Sequence, residues 1–312
     1  MTKPILIAGA TASGKSSLAM ALAEEFNGVI VNADSCQVYN ELSILSARPS
    51  TSDMECVPHR LYGHVSGKQA YSTGAWLEDV NETLNEIAAI GKRPIFVGGT
   101  GLYYKALLEG LSQVPDIADE TRKFWRDEAE RLGAPRLHEI LSDKDPLMAT
   151  ELKPGDTQRI IRALEVIEGT GKSLKHWQET NSEPLLSFKD VHGFVVCWER
   201  SHLYERIDRR FKEMVSAEGT DNGLSEVQAL LDLGFDSNLP IMRALGVPEL
   251  AGFLKGDMGL DCAVALAQQQ TRRYAKRQLT WLRRNMISWN QLDAQHMKRL
   301  RPEIFSKIHE DC

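Results

Sequence analysis

Eight consecutive residues near the start of the chain have the types and spacing of a phosphate-binding loop. They fit the pattern G-x-x-x-x-G-K-[ST] and are Gly9, Ala10, Thr11, Ala12, Ser13, Gly14, Lys15 and Ser16. The glycines let backbone N–H groups close around phosphate oxygens, and the following helix adds a positive dipole end. Lys15 would contact the terminal phosphate, and the Ser16 hydroxyl would hold Mg²⁺. A fortuitous glycine-rich turn is the alternative.

A phosphate loop alone indicates only that a di- or triphosphate binds, as in ATP-binding and other nucleotide-binding proteins. A hydrolase usually carries an apolar strand that ends in Asp or Asp-Glu, which holds magnesium and positions water. Here the apolar segment 95–97 ends in Gly98-Gly99-Thr100-Gly101. The pattern therefore disfavours a motor or switch ATPase and favours a transferase.

Two further polar residues follow predicted strands. Asp34 follows the apolar segment 29–33, and Thr100 lies in the glycine-rich loop 98–101. Ligands of parallel sheets bind beyond the carboxyl ends of the strands, so both side chains are expected to face the ligand crevice. Asp34 fits a general base or a magnesium holder, with a helix N-cap as the structural alternative. Thr100 fits a group that orients the reacting atoms, or a cap of the helix after it.

A cationic helix is predicted near the carboxyl end of the chain. Residues 262–292 contain six Lys or Arg and no Asp or Glu. At 100° per residue, one sector of the helix holds the cationic stripe, which we define as Arg273, Lys276, Arg277 and Arg284. The other side is expected to be buried through Tyr274, Leu279, Trp281, Leu282 and Met286. Because solvated faces usually mix charge signs, this stripe favours contact with a polyanion over an ordinary surface.

Two other helices carry neighbouring bases, and they add to this signal. One carries Arg159 and Arg162, and the other carries Arg206, Arg209 and Arg210. Basic helices beside a phosphate loop indicate two anionic ligands, one small and one large.

Alternating strands and helices must position these residues. Apolar strands are predicted at 4–8, 29–33, 95–97 and 193–198, with helices at 14–26 and 74–90. This alternation predicts an α/β fold in which a phosphate-loop parallel sheet is covered by helices. Residues 115–188 are charged and helical in pattern. We therefore predict a mostly helical insertion at 115–188 within a core formed by 1–114 and 189–312.

Composition narrows the class of protein. The 312 residues are 42% hydrophobic and 26% charged, as in a globular protein rather than a disordered chain. Taken alone, the net charge of −6 argues against a protein that binds nucleic acid. This objection weakens once residues 262–292 are counted separately, because that segment is cationic and the rest of the chain is correspondingly more acidic. No segment approaches the roughly 20 apolar residues of a membrane span. The cysteines, Cys36, Cys56, Cys197, Cys262 and Cys312, contain no C-x-x-C pair. We expect a cytoplasmic monomer without disulfides.

Taken together, the patterns resemble the tRNA dimethylallyltransferase family, also called tRNA isopentenyltransferases. The matching segments are collinear, and they are 9–16, 34–39, 58–61, 70–72, 98–103, 156–166, 206–211 and 272–281. The resemblance implies transfer of a dimethylallyl group from dimethylallyl diphosphate to N6 of adenosine 37, beside the anticodon. It also implies that the phosphate loop binds diphosphate rather than ATP.

The resemblance assigns roles to particular residues. Asp34 would be the general base on N6, and Thr100 would orient the reacting groups. Lys15, Arg210 and Mg²⁺ at Ser16 would stabilise the departing diphosphate. The positions that match tRNA-contacting positions of the family are Asp34, Ser35, Cys36, Gln37, Thr100, Arg122, Gln158, Arg159, Ile160, Ile161, Arg162, Arg273, Lys276 and Arg277. Ala10 departs from the proline usual in the family's loop, and Val247-Pro248 replaces an aromatic–basic pair.

Three other functions compete with this hypothesis. A small-metabolite kinase would need ATP and no cationic stripe. A prenyltransferase that acts on free AMP would need neither the basic helices nor the insertion. A non-catalytic tRNA-binding protein would not need Asp34 or the phosphate loop.

Overall fold

The computed structural model describes residues 2–216 and 221–310, so Met1 and Cys312 lie outside the described residues. The chain divides into two compact units. The core unit extends to Leu107 and resumes at Leu186, and the insertion unit spans Leu108–Leu185. The predicted insertion, 115–188, begins seven residues later and ends three residues later than this unit.

The early start of the insertion unit has a local cause. Before the charged helices begin, the segment after Gly110 is already bound within the insertion. The Leu111 amide donates to Ser182 Oγ at 3.1 Å, and Ser112 forms an antiparallel bridge with Asn181. Such backbone pairing leaves no trace in the hydropathy pattern, from which the boundary at Pro115 was drawn.

One six-stranded sheet forms the centre of the core unit. The strand order is β3-β2-β4-β1-β5-β6, and every neighbouring pair is parallel. The strands are β1 Ile5–Gly9, β2 Gly28–Asn32, β3 His59–Arg60, β4 Arg93–Gly98, β5 His192–Cys197 and β6 Asn290–Asp293. The first, second and fourth are buried throughout, as expected of strands covered on both faces. The predicted α/β parallel sheet is confirmed.

The two outer strands were not predicted. No strand was predicted around His59, yet β3 pairs with β2 through Ile30 and His59. Strand β6 pairs with β5 and has only one buried residue, Leu292. Both are short, polar edge strands, so they lack the apolar run from which the central strands were predicted.

Helices of the core unit cover the sheet. They are α1 Lys15–Glu25, α2 Thr51–Cys56, α3 Thr73–Ala89, α4 Gly101–Glu109, α9 Arg200–Ser216, α10 Gly223–Asp232, α11 Val247–Leu254, α12 Leu260–Asn285 and α13 Met297–Glu310. Leu18 and Leu22 of α1 share one buried apolar cluster with Ile5, Ile304 and Ile308. This packing fixes α1, and with it the end of the phosphate loop, against the sheet.

The longer elements of the described insertion unit are all helices. They are α5 Asp119–Lys144, α6 Pro146–Glu151, α7 Thr157–Thr170 and α8 Leu174–Gln178. A left-handed Gly133, with φ 76°, interrupts α5. Trp125 and Leu141 of α5 pack with Ile160 and Leu164 of α7 in a separate apolar core. The predicted helical character of this segment agrees with the structure.

Candidate active site at the carboxyl ends of the strands

The phosphate loop, residues 9–16, connects β1 to α1, as its sequence predicted. Gly14 immediately precedes α1 with φ 87°, a left-handed conformation that favours glycine. Ala12 also has a positive φ, 61°. At Gly9, a Cβ atom would lie 2.6 Å from Ser13 Oγ, so a larger residue would displace the loop. These positions give the loop its tight turn.

Apolar side chains of two helices pack against the phosphate loop. Ala10 and Ala12 belong to one buried cluster with Leu203 and Ile207 of α9 and Ala275 of α12. Ala10, the departure from the usual proline, is fully buried there. Its small side chain packs with residues of both helices. This packing holds the loop in place of the rigid proline ring that is usual at this position.

Polar side chains also hold the phosphate loop through hydrogen bonds. Arg206 Nε donates to the Ala12 carbonyl at 3.0 Å, and Arg210 Nη2 donates to Thr11 Oγ1 at 2.5 Å. Trp198 Nε1 donates to the Ser13 carbonyl at 2.8 Å, while Arg206 stacks over the Trp198 ring. The role of Trp198 was missed, because a single Trp after a strand carries no pattern.

A cavity of about 330 Å³ opens over the loop. Its walls include the loop from Thr11 to Ser16, together with Asp34, Gln37, Arg206, Arg209 and Arg210. Burial lowers the pKa of Lys15, against the opposing effect of Asp34, and neighbouring Arg210 lowers this pKa further. Burial also lowers the pKa of Arg210, again opposed by Asp34. Partly desolvated cations gathered in one cavity favour an anionic ligand.

Asp34 lies directly beyond β2 and within this cavity. Asn32 fixes the chain there, because its Oδ1 accepts from the Asp34 amide at 2.8 Å and its Nδ2 donates to the Asp34 carbonyl at 3.0 Å. The Cys36 amide donates to Asp34 Oδ1 at 3.1 Å. The carboxylate therefore closes a turn rather than capping a helix, and it faces the phosphate loop.

The glycine loop 98–101 brings Thr100 to the segment that holds Asp34. The Ser35 amide donates to Thr100 Oγ1 at 2.9 Å, and the Thr100 amide donates to the Ala33 carbonyl at 3.2 Å. A Cβ atom at Gly98 would lie 1.9 Å from the Ala33 oxygen. Only glycine permits this approach, so the two strand ends meet as the sequence predicted. The hydroxyl of Thr100 bonds Ser35 instead of capping α4.

Cys36 and Gln37 complete the strand-end segment. Burial, followed by the nearby Asp34, raises the pKa of the Cys36 thiol to about 12, so this thiol is neutral at physiological pH. Gln37 donates from Nε2 to the carbonyls of Ser46 and Ala47 at 2.9 and 2.8 Å. These two bonds hold the loop around Ser46 and Ala47, which forms another wall of the cavity.

The orientation of α12 was predicted only in part. The whole cationic stripe is exposed, and Leu282 and Met286 are buried, whereas Tyr274, Leu279 and Trp281 are half-buried. The buried row of the helix consists mainly of small or polar residues, which include Thr271, Ala275 and Gln278. Gln278 was missed as a site residue, because an apolar projection assigns no buried position to an amide. Its spacing from Thr271 and Ala275 was the available signal.

The remaining candidate residues lie in the insertion unit. Gln158 and Arg159 are exposed, Ile161 and Arg162 are half-buried, and Ile160 is fully buried in the insertion core. Burial leaves the Ile160 side chain a packing role rather than a tRNA contact of its own. Arg122 lies 3.9 Å from carboxylate oxygens of both Asp116 and Asp119.

The residues around Ser16 suit Mg²⁺ that shares its ligands with a phosphate. Ser16 and Asp34 line the same cavity and both offer oxygen, the donor that Mg²⁺ prefers. Within residues 2–216 and 221–310, no group of three or more His, Cys, Asp or Glu could hold a metal by itself. A cation held at Ser16 would therefore take its other ligands from a bound phosphate group and water.

The fold and site define a phosphate-loop α/β protein in which a strand-end carboxylate faces the loop. The chain belongs to the IPP transferase family. The model described as IPP transferase matches residues 37–285, and one described as isopentenyl transferase matches residues 2–67.

Relatives and solved structures agree with this assignment. The chain is 48% identical to a tRNA dimethylallyltransferase of Agrobacterium fabrum over 90% of this chain and 93% of that protein. A second, from Mesorhizobium japonicum, is 47% identical over 92% of this chain and 88% of that one. The structure resembles a full-length tRNA isopentenylpyrophosphate transferase from Bacillus halodurans, with 30% identity, TM-score 0.69 and 99% and 98% of the two chains covered. A eukaryotic dimethylallyltransferase acting on tRNA gives TM-score 0.79 at 26% identity, over 96% of this chain and 76% of that one.

No helix in the described part of the chain is both long and apolar enough to cross a membrane.

Proposed function

We propose that this protein transfers the dimethylallyl group of dimethylallyl diphosphate to N6 of adenosine 37 in tRNA. The products are N6-dimethylallyladenosine in the tRNA and diphosphate. The observation that carries the proposal is the single cavity in which Asp34 faces the phosphate loop. The names of the relatives, which are tRNA dimethylallyltransferases, support the reaction.

The leaving group determines what the phosphate loop must do. Diphosphate departs from C1 of the prenyl group only if its growing negative charge is stabilised. The loop amides, Lys15 and Arg210 surround the position that it would occupy. Mg²⁺ held by the Ser16 hydroxyl and diphosphate oxygens would supply further positive charge.

The acceptor determines what Asp34 and Thr100 must do. The exocyclic amine attacks C1 with its electron pair, the C1–O bond breaks, and the N6 proton passes to the Asp34 carboxylate. Thr100, held by the Ser35 amide, orients the amine against that carboxylate. Because a stacked base cannot reach this crevice, the nucleotide must leave the anticodon-loop stack. The exposed cationic stripe would hold the tRNA backbone.

The decisive experiment supplies labelled dimethylallyl diphosphate with unmodified tRNA or with AMP. We expect label in tRNA and none in AMP. Label in AMP alone would favour a prenyltransferase of free nucleotides, and no label in either would overturn the proposal.

Asp34→Asn then tests the general base. The amide keeps the oxygen that accepts from the Cys36 N–H, so the turn survives while the proton acceptor is lost. We expect turnover to fall by at least about 100-fold with unchanged tRNA affinity. The matched control is Asp127→Asn, which alters an exposed carboxyl of the insertion. Normal turnover in the Asp34 variant would contradict this role.

We also propose that the protein acts as a cytoplasmic monomer. Cys36, Cys56, Cys197 and Cys262 are all free thiols, which supports a reducing compartment. Light scattering of the purified protein at assay concentration checks the monomer, and a dimer mass would contradict it.

A further inference from the structure

Three residues on the inner side of α12 contact the loops of the reaction site. Tyr274, Gln278 and Trp281 are spaced four and three apart, so they lie along one side of the helix. Each contacts a different residue of the glycine loop 98–101. The same helix carries the cationic stripe on its exposed side.

Gln278 joins the phosphate loop to the glycine loop. Its Oε1 accepts from the Thr11 amide at 2.9 Å, and its Nε2 donates to the Gly99 carbonyl at 3.0 Å. The side chain is only 6% exposed. A Cβ atom at Gly99 would lie 2.1 Å from the Gln278 nitrogen, so the glycine is required for this contact. One amide bridge thus fixes the distance between the two loops.

Tyr274 and Trp281 hold the glycine loop on either side of that bridge. Tyr274 is hydrogen-bonded to the Thr100 side chain, and burial raises the Tyr274 pKa well above its usual value. The Tyr274 phenol is therefore protonated at neutral pH, and its hydrogen bond with Thr100 ties α12 to the glycine loop. The Trp281 ring packs on Gly101, where a Cβ atom would lie 2.3 Å from the indole.

The position of this bridge matters for the reaction. In the proposed reaction, the diphosphate of the donor would rest on the loop that contains Thr11, and the acceptor amine would rest near Thr100. Their separation sets the distance between N6 and C1 in the reactive complex. A displacement of about 1 Å between reacting groups is enough to cost roughly 100-fold in rate.

We propose that Gln278 is a positioning residue that aligns the donor loop with the acceptor loop, assisted by Tyr274. This inference rests on the proposed function. Because both ends of the Gln278 amide are bonded to the backbone of Thr11 and Gly99, it acts on the chemical step through those two loops. Its location on α12 also places the alignment on the helix that carries the proposed tRNA-binding stripe.

Gln278→Met tests the proposal, because it removes both hydrogen bonds and preserves an unbranched side chain of similar length. We expect the single-turnover rate and kcat to fall at least tenfold, while KM for tRNA and for dimethylallyl diphosphate stays within threefold. Amide exchange at Thr11 should accelerate in the same variant. Unchanged kcat would overturn the proposal.

A matched control separates positioning from stability. Gln268 lies on the same helix, is also buried, and donates to the Asp208 carbonyl of α9 at 2.9 Å instead of contacting the reacting loops. Gln268→Met should lower Tm about as much as the Gln278 variant and leave kcat within twofold. Equal losses of kcat in both variants would show that Gln278 is merely structural.

A second variant keeps the test valid if Gln278→Met does not fold. Tyr274→Phe removes only the hydroxyl that bonds Thr100, and we expect kcat to fall severalfold with unchanged Tm. If the wild-type protein labels tRNA and both variants retain full kcat, the alignment role is refuted and the proposed function stands. If the wild-type protein does not label tRNA, the proposed function itself fails.

Discussion

Glu226 of α10 binds the loop that forms one wall of the cavity, and its removal should destabilise the core unit. Its Oε1 accepts from the amides of Ser43 and Ile44, the latter at 2.7 Å, and its Oε2 accepts from the Leu45 amide at 2.9 Å. The Ser43 hydroxyl adds a fourth bond at 3.0 Å. One carboxylate therefore satisfies three successive backbone donors of a loop that has no regular secondary structure.

Glu226→Ala leaves those three amides without their acceptor. An unsatisfied backbone group costs about 1–3 kcal/mol when buried, and half-burial favours the lower figure, so the sum is about 3 kcal/mol. For a unit of this size, the loss corresponds to a fall in Tm of about 6–12 °C. Ser46 and Ala47 follow in the same loop and line the cavity, so KM for the diphosphate donor should also rise.

Calorimetry and urea unfolding measure the loss of stability, and steady-state kinetics measure KM. Glu226→Gln should lose about half as much, because it retains one oxygen. The control is Glu24→Ala, an exposed position of α1 where a change within about 0.5 kcal/mol is expected. A Glu226→Ala variant that matches this control in Tm would show that the carboxylate does not hold the loop.

Further expected outcomes concern the glycine loop, the cationic stripe and Lys15. Gly98→Ala should abolish turnover or folding, since its Cβ would overlap the Ala33 carbonyl, whereas Gly155→Ala, with open space around it, should leave both unchanged. Alanine at the first three positions of the cationic stripe should raise KM for tRNA and lessen its dependence on salt, and an unchanged salt slope would count against tRNA contact there. Burial lowers the Lys15 pKa from 10.5, so this lysine loses its charge at a lower pH than a free lysine. Calorimetric titration with diphosphate should therefore show affinity that falls as pH rises towards 10.5, with no such fall in Lys15→Met; identical pH profiles would contradict this.

The central sheet, the phosphate loop and the strand-end residues follow from local patterns in the chain. Strands β1, β2, β4 and β5 are apolar runs. A strand that is buried on both faces of a parallel sheet needs apolar side chains on both faces, so it is visible in the sequence. The phosphate loop was recognisable because its glycines and its lysine act through the local backbone. Asp34 and Thr100 could be paired from sequence, because parallel strands direct their carboxyl ends to the same edge.

The contacts that connect these local features arise from long-range packing in the folded chain. The edge strands β3 and β6 are polar and short. They are extended because they pair with a neighbouring strand, and their own residue patterns do not predict a strand. Gln278 is 267 residues from Thr11 in the chain, and no periodicity of either segment predicts that bond. Sequence patterns report how a segment buries its apolar side, whereas a buried amide is stable only where the folded chain supplies its partners. The alignment of the two reacting loops therefore depends on long-range packing, even though each loop is encoded locally.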